Sequence, residues 1–213
     1  LGTIGDEEPV TWSETGYRLL FSFESGSRTQ NIWLLDAEEG TLKQVTENEN
    51  MTVGQDALVE PVLCRYQSFD GLEIPYWLYV PKGIPAENLP VAIYIHGGPE
   101  SQIRRFYEET IQYLVSEGIA VAAPNVRGST GYGKTYLNLD NKEKRPDAVR
   151  DIEALADHLT KTGTADAKRM AVFGRSYGGY MTLLCAARMP KLWACAVEVV
   201  GMFNLVSFLK HTA

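Results

Sequence analysis

Three clusters in this sequence bring together residue types that could do chemistry. The first is Gly174-Arg175-Ser176-Tyr177-Gly178-Gly179, a G-x-S-x-G pattern. A serine in that pattern becomes a nucleophile when it sits on a sharp turn between a strand and a helix. Its Oγ then stands clear of the sheet, above the positive end of the helix. Such a turn brings the chain before and after the serine very close, and side chains at Gly174 and Gly178 would collide there. A phosphate cradle would want a longer glycine loop and a lysine, and Arg175 does not supply one. The second cluster is His96-Gly97-Gly98-Pro99. Glycines directly after a strand let the backbone approach a substrate oxygen, so the N–H groups of Gly98 and Tyr177 are the candidate oxyanion donors. His96 lies inside this loop, a place that suits orienting the loop by hydrogen bonding and not acting as the base. The third cluster is Asn125-Val126-Arg127-Gly128-Ser129-Thr130-Gly131-Tyr132-Gly133. Here Arg127 is a candidate to pair with a carboxylate and brace the loops, and Tyr132 a candidate to line a pocket. The chemistry these clusters point to is acyl transfer through a serine.

Such residues need a scaffold that presents strand ends in one place. From residue 62 onward strands and helices alternate. Val62–Ser68 and Leu72–Val80 flank the turn signal Asp70-Gly71. Val91–Ile95, Ile119–Ala123, Arg169–Phe173 and Ala194–Val200 read as short buried strands. Helices are expected over Arg104–Glu117, over Pro146–Thr162 with proline in its first turn, and over Tyr177–Met189. About six strands with this alternation imply an open α/β sheet covered on both faces, and all three clusters fall at strand carboxyl ends. His158 is expected at a surface or boundary, Arg104-Arg105 and Lys142–Arg145 on solvated faces, and Cys185 and Cys195 in the interior.

Residues 1–60 differ. They carry 12 acidic against 3 basic side chains, whereas residues 61–213 carry 15 against 17. That shift marks a boundary near residue 60. Val10–Ser13, Tyr17–Phe23, Asn31–Asp36 and Thr41–Thr46 read as antiparallel strands separated by turn clusters, the content of one β-propeller blade. A blade needs neighbours to bury its faces, so these residues resemble the last blade of a larger array. The expected division is 1–55 for the blade and 56–213 for the α/β domain.

Across the 213 residues, 45% are hydrophobic, 22% charged, and the net charge is −7. The composition excludes a disordered chain. The acidic balance argues against nucleic acid as partner, and no apolar run is long enough for a membrane span. Three cysteines (Cys64, Cys185, Cys195) have neither metal-ligand spacing nor an even count, which points to a reducing, cytoplasmic setting with no metal and no cofactor.

The motifs "HGGP", "NVRGSTGYGK", "GRSYGGYMTL" and "YQSFDGLEIPYWLYVPKG", in a chain that carries a blade-like lead-in, resemble the prolyl oligopeptidase family of serine peptidases, nearest its acylaminoacyl-peptidase and dipeptidyl-peptidase branch. The resemblance implies an α/β-hydrolase fold beside a propeller that admits short peptides. It implies Ser176 as nucleophile and Gly98 and Tyr177 as oxyanion donors.

One departure stands out. The triad order in this fold is serine, then acid, then histidine. After Ser176 the chain has no aspartate; its one acid is Glu198, inside an expected strand, and its one histidine is His211. The expectation is therefore an incomplete α/β-hydrolase domain, a fragment cut at both ends that lacks its general base and hydrolyses little. A carboxylesterase-like hydrolase and a non-catalytic propeller–hydrolase scaffold are the alternatives. Residue preference, exo or endo mode and oligomeric state are not legible.

Overall fold

The computed structural model describes residues 3–4, 11–48 and 53–211. Val10, at the start of the first expected strand, lies outside them. The first part is an antiparallel sheet of β1 (Thr3–Ile4), β2 (Thr11–Trp12), β3 (Arg18–Ser25), β4 (Arg28–Asp36) and β5 (Thr41–Gln44). Its order is β1-β3-β4-β5, with β2 also pairing to β3. Asp36 closes the β4–β5 turn, accepting the Glu38 and Glu39 N–H groups on Oδ1 and Arg18 Nε on Oδ2. The Thr3–Ile4 pairing to Phe23–Glu24 was not among the expected strands.

The second sheet holds β6 (Val62–Gln67), β7 (Glu73–Tyr79), β8 (Leu89–Ile95), β9 (Ala120–Pro124), β10 (Ala165–Arg175) and β11 (Cys195–Val199). Its order is β11-β10-β8-β9-β7-β6. Pairs β6–β7 and β7–β9 are antiparallel, and the remaining pairs are parallel. Helices α1 (Glu109–Ser116), α2 (Gly133–Leu137), α3 (Arg145–Lys161), α4 (Tyr177–Arg188) and α5 (Leu205–His211) complete the chain.

Strand periodicity assigns the faces. Val91, Ile93 and Ile95 point to one side with Ala120 and Ala122, into a core shared with Ile152, Leu155, Leu159 of α3 and Met181, Cys185 of α4. Ala92, Val121 and Ala123 point to the other, against Ile111 and Val115 of α1. With both faces covered, these central strands carry apolar residues throughout instead of alternating.

Several boundaries differ from expectation. The helix expected from Arg104 begins only at Glu109. Asn125 is the reason: its Oδ1 accepts Ile103 N–H at 2.7 Å and its Nδ2 donates to Ile103 O at 2.9 Å, so the side chain holds that backbone as a strand would. β10 runs to eleven residues, with a register shift between Ala165 and Met170. Residues 133–144, for which no element was expected, hold α2 and two short 3-10 turns. Cys185 is buried, but Cys195 is exposed on β11; an outer strand among the described residues covers one flank only.

The two sheets meet at a dense polar junction. The Glu60 carboxylate accepts Ser25 Oγ at 2.6 Å, Ser27 Oγ at 2.6 Å and Arg105 Nε at 2.7 Å. Buried Gln112 of α1 donates to Gly26 O at 2.6 Å and Val59 O at 2.8 Å, and accepts Val59 N–H at 3.0 Å. Arg105 is thus an ion-pair partner and not a solvated cation.

Candidate active site

β10 leads into α4 through Ser176, whose φ of 58° and ψ of −119° lie where a residue with a Cβ rarely sits. Strain of this kind persists only where the surroundings over-determine it. They do so here. Ser176 N–H is held by Val199 O at 2.9 Å, and Ser176 O receives Tyr180 N–H at 3.0 Å. A Cβ on Gly178 would stand 2.0 Å from Ile95 O, and one on Gly174 would stand 2.6 Å from the Gly178 carbonyl. The glycines at these two positions are therefore dictated by contact between backbones. Ser176 is the N-cap of α4 but makes no side-chain capping bond, so its exposed hydroxyl remains available. Tyr177 takes the first helical position, where the N–H has no acceptor within the helix.

Facing the elbow is the loop after β8. A Cβ on Gly97 would lie 3.7 Å from Ser176 Cβ, so the two segments are neighbours. Gly98 has φ +126°, and a Cβ there would meet Glu100 N at 2.8 Å. His96 is buried between two oxygens: Gly97 O, 2.6 Å from Nδ1, and Ser129 Oγ, 2.9 Å from Nε2. Both ring nitrogens are thereby engaged away from Ser176 Oγ. Burial pushes the imidazole below its usual range and so favours the neutral ring, opposed by the hydrogen bond to Gly97 O.

The loop after β9 is pinned from beneath. Arg127 donates to both oxygens of Asp151 at 2.9–3.1 Å and to both oxygens of Asp70 at 3.0 Å. Asp151 further accepts the Arg127 N–H at 3.0 Å and Ser68 Oγ at 2.5 Å. Burial raises the Asp151 carboxyl, opposed chiefly by its bonds from Arg127 and Ser68. One guanidinium therefore ties the loop to α3 and to the β6–β7 turn. Tyr132 is partly exposed on the same loop; its hydroxyl accepts Asn125 Nδ2 at 2.8 Å and its ring lies 5.2 Å from that of Tyr136.

The sequence did not single out the pair below Tyr177. Buried Asp140 accepts Arg145 at 2.6 Å and the Tyr177 hydroxyl at 3.4 Å, while the Arg145 guanidinium lies 5.3 Å from the Tyr177 ring centre. Burial pushes the Tyr177 phenol up to about 12. A Cβ at Gly128 would run into Asp140. The signal in the sequence was an aspartate five residues before an arginine, masked by the charge run Lys142–Arg145. His158, half-buried, packs on Tyr66 and Tyr76, with its Nε2 3.4 Å from the Tyr76 hydroxyl.

Among the described residues no imidazole or carboxylate bonds the Ser176 hydroxyl. Glu198 accepts Gly201 N–H at 2.7 Å, and His211 lies at the end of α5. No group of His, Cys, Asp and Glu among the described residues could hold a metal ion. No helix among them is long and apolar enough to cross a membrane.

The family model described as the prolyl oligopeptidase family matches residues 105–213. Dipeptidyl aminopeptidase BIII of Pseudoxanthomonas mexicana is 31% identical over 181 residues, which cover 82% of this chain and 26% of that protein. A puromycin hydrolase crystal structure aligns with TM-score 0.80 at 28% identity, covering 95% of this chain and 32% of that one. The acylaminoacyl peptidase of Pyrococcus horikoshii aligns with TM-score 0.73 at 26% identity, covering 91% of this chain and 30% of its own. The chain thus spans roughly a third or less of the length of these relatives.

Proposed function

The chain belongs to the prolyl oligopeptidase family, and from that premise we propose that it carries the nucleophile and oxyanion donors of a serine peptidase acting on short peptides. The observation that supports this best is the elbow: Ser176 at φ 58°, its hydroxyl uncapped, over a crossing that only glycines at 174 and 178 permit. Ser176 Oγ would attack the scissile carbonyl carbon as a base removes its proton. The oxygen that becomes negative would face the N–H groups of Gly98 and Tyr177. Collapse would break the C–N bond, the amine leaving with the proton, and water would then hydrolyse the acyl-enzyme. His96 and Arg127 support the loops and do not take part in proton transfer.

The base is not supplied by the described residues, so in this reading residues 1–213 alone hydrolyse little and the histidine acts from elsewhere in the full-length protein. Residues 1–55 belong to a propeller blade and 56–213 to the hydrolase domain. The setting is cytoplasmic, and the reaction needs no cofactor. Peptide substrates fit the names of the relatives, one of which, a puromycin hydrolase mutant, was crystallised with PGG.

The test is labelling of the full-length protein with a fluorophosphonate, paired with turnover of peptide amides and esters. Labelling that disappears in Ser176→Ala, with amide turnover, is the expected result. Absence of labelling in the wild type would favour a binding scaffold, and ester turnover without amide turnover a carboxylesterase.

A further inference from the structure

Gly97 and Gly98 share one peptide unit, and its two ends have different fates. Its carbonyl, Gly97 O, lies 2.6 Å from His96 Nδ1. Its N–H, that of Gly98, is the candidate oxyanion donor. A peptide unit is planar, so in the trans form N–H and C=O point in opposite directions. Fixing the carbonyl therefore aims the N–H. The unit also lies between two glycines, whose backbones rotate with little steric penalty. Without side chains on either residue, little local steric contact keeps that plane from turning. The tether must come from a side chain, and His96 is the side chain that bonds it.

What holds His96 is then the question. Its ring is buried, and its second nitrogen lies 2.9 Å from Ser129 Oγ, which in turn lies 2.7 Å from Val126 O. Gly97 O and Val126 O can only accept. The contact to Gly97 O therefore requires the proton on Nδ1, and a neutral ring then presents a lone pair at Nε2. The Ser129 hydroxyl has a single proton and stands between two acceptors, that lone pair and Val126 O; Val126 O already accepts the Ser129 N–H at 3.1 Å, so the neutral ring is satisfied when the hydroxyl proton turns from Val126 O to Nε2. If Ser129 were absent, the ring could take the other tautomer, with its proton on Nε2, and the Gly97 carbonyl would lose its donor. Ser129 is itself almost fully buried, at 1% exposure, and sits on the loop that Arg127 anchors to Asp151 and Asp70.

We propose that Ser129 is a positioning residue for catalysis: by fixing the tautomer and orientation of His96, it sets the plane of the Gly97–Gly98 peptide and so aims the Gly98 N–H at the oxyanion. The role rests on the serine-peptidase reading above. It requires that the hydroxyl matter to the transition state and little to the bound ground state, since the oxygen becomes an anion only in the former.

The experiment uses the full-length protein. In Ser129→Ala, kcat should fall roughly tenfold to a hundredfold, less than the ~10²–10³ typical of removing an oxyanion donor outright. KM should hold within about twofold. The inhibition constant of a peptidyl trifluoromethyl ketone, which forms a tetrahedral oxyanion on the serine, should rise by the same factor as kcat falls. Ser129→Thr, which keeps the hydroxyl, should recover most of the loss. Should Ser129→Ala not fold, Ser129→Cys keeps the volume with a poor donor and carries the same expectation. An unchanged kcat in a folded Ser129→Ala protein overturns the proposal. So does a loss of kcat with unchanged affinity for the ketone, which would mark a merely structural role. A wild-type protein that neither labels nor turns over would instead overturn the peptidase reading, so the two failures are distinguishable.

Discussion

Glycine can be required for two different physical reasons, and this chain allows them to be separated by measurement. Gly178 does not have a positive φ, so an alanine there meets no backbone strain. Its difficulty is space: the new Cβ would stand 2.0 Å from Ile95 O, 2.8 Å from Ile95 C and 3.0 Å from His96 O. Carbon and oxygen rarely approach closer than about 3.3 Å without a covalent bond. The α4 N-terminus must therefore move about 1.3 Å away from the end of β8. Those two segments carry Tyr177 N–H and Gly98 N–H, so the displacement opens the gap between the two proposed oxyanion donors. A misplacement of ~1 Å costs about 10²-fold in rate, and overpacking about 1–3 kcal/mol in stability. Gly16 is the control. Its φ is +78° and a methyl group added there would meet nothing within 4 Å, so Gly16→Ala carries strain alone, about 1–2 kcal/mol, far from the site. The assay is the second-order rate of phosphonate labelling at Ser176 in the full-length protein, alongside urea denaturation. Gly178→Ala should label roughly 10²-fold more slowly, and Gly16→Ala at the wild-type rate. A Gly178→Ala protein labelling within about threefold of wild type would refute the close-approach reasoning.

Three more outcomes are expected. Arg127→Leu leaves the fully buried Asp151 without its cation and should cost about 3–5 kcal/mol by urea denaturation, whereas the double variant with Asp151→Leu should cost less than the two singles together; simple additivity would contradict the buried-pair account. Burial opposes ionisation of Glu60, but bonds from Ser25, Ser27 and Arg105 outweigh it and bring the carboxyl to about 2 from an ordinary 4.5. Its stabilising effect is therefore complete above pH 4.5 and lost as pH falls through 2, so the melting-temperature gap between wild type and Glu60→Gln should shrink across that window and not stay constant. Burial pushes the Cys185 thiol up to about 12, so iodoacetamide at about pH 8 should leave it unmodified until the protein is unfolded; mass spectrometry of the native protein showing its rapid alkylation would contradict the core assignment.

The sharp strand-to-helix turn at Ser176 was readable because its constraint is local. Gly174, Ser176 and Gly178 lie within five residues, and the buried strand before them announces the turn. The central strands were readable for the same kind of reason, since burial on both faces leaves short continuous apolar runs such as Val91–Ile95. The partners of Arg127 were not readable. Asp151 lies 24 residues away and Asp70 57 away in the opposite direction, and no periodicity relates them. The late start of α1 was invisible for a similar reason. The pattern from Arg104 is helical enough, but Asn125, from another strand end, takes the Ile103 backbone for itself. Asp140 and Arg145 were lost in a run of charges whose other members are exposed. In each case the missing information is a side chain bonding backbone or charge at long range, a tertiary choice that overrides the local one.

The junction around Gln112 also has a consequence in time. The hairpin turn at residues 25–27 depends on a side chain 86 positions later in the chain, since Gln112 supplies the donor for Gly26 O. On a ribosome adding about 5–20 residues per second, roughly 4–17 s separate synthesis of that turn from synthesis of its partner. Through that interval the Gly26 carbonyl lacks its native donor, and the end of the first sheet waits for the second to exist. At this point the earlier-made strand pair acquires the donor for its turn carbonyl only when the first helix of the later sheet is in place.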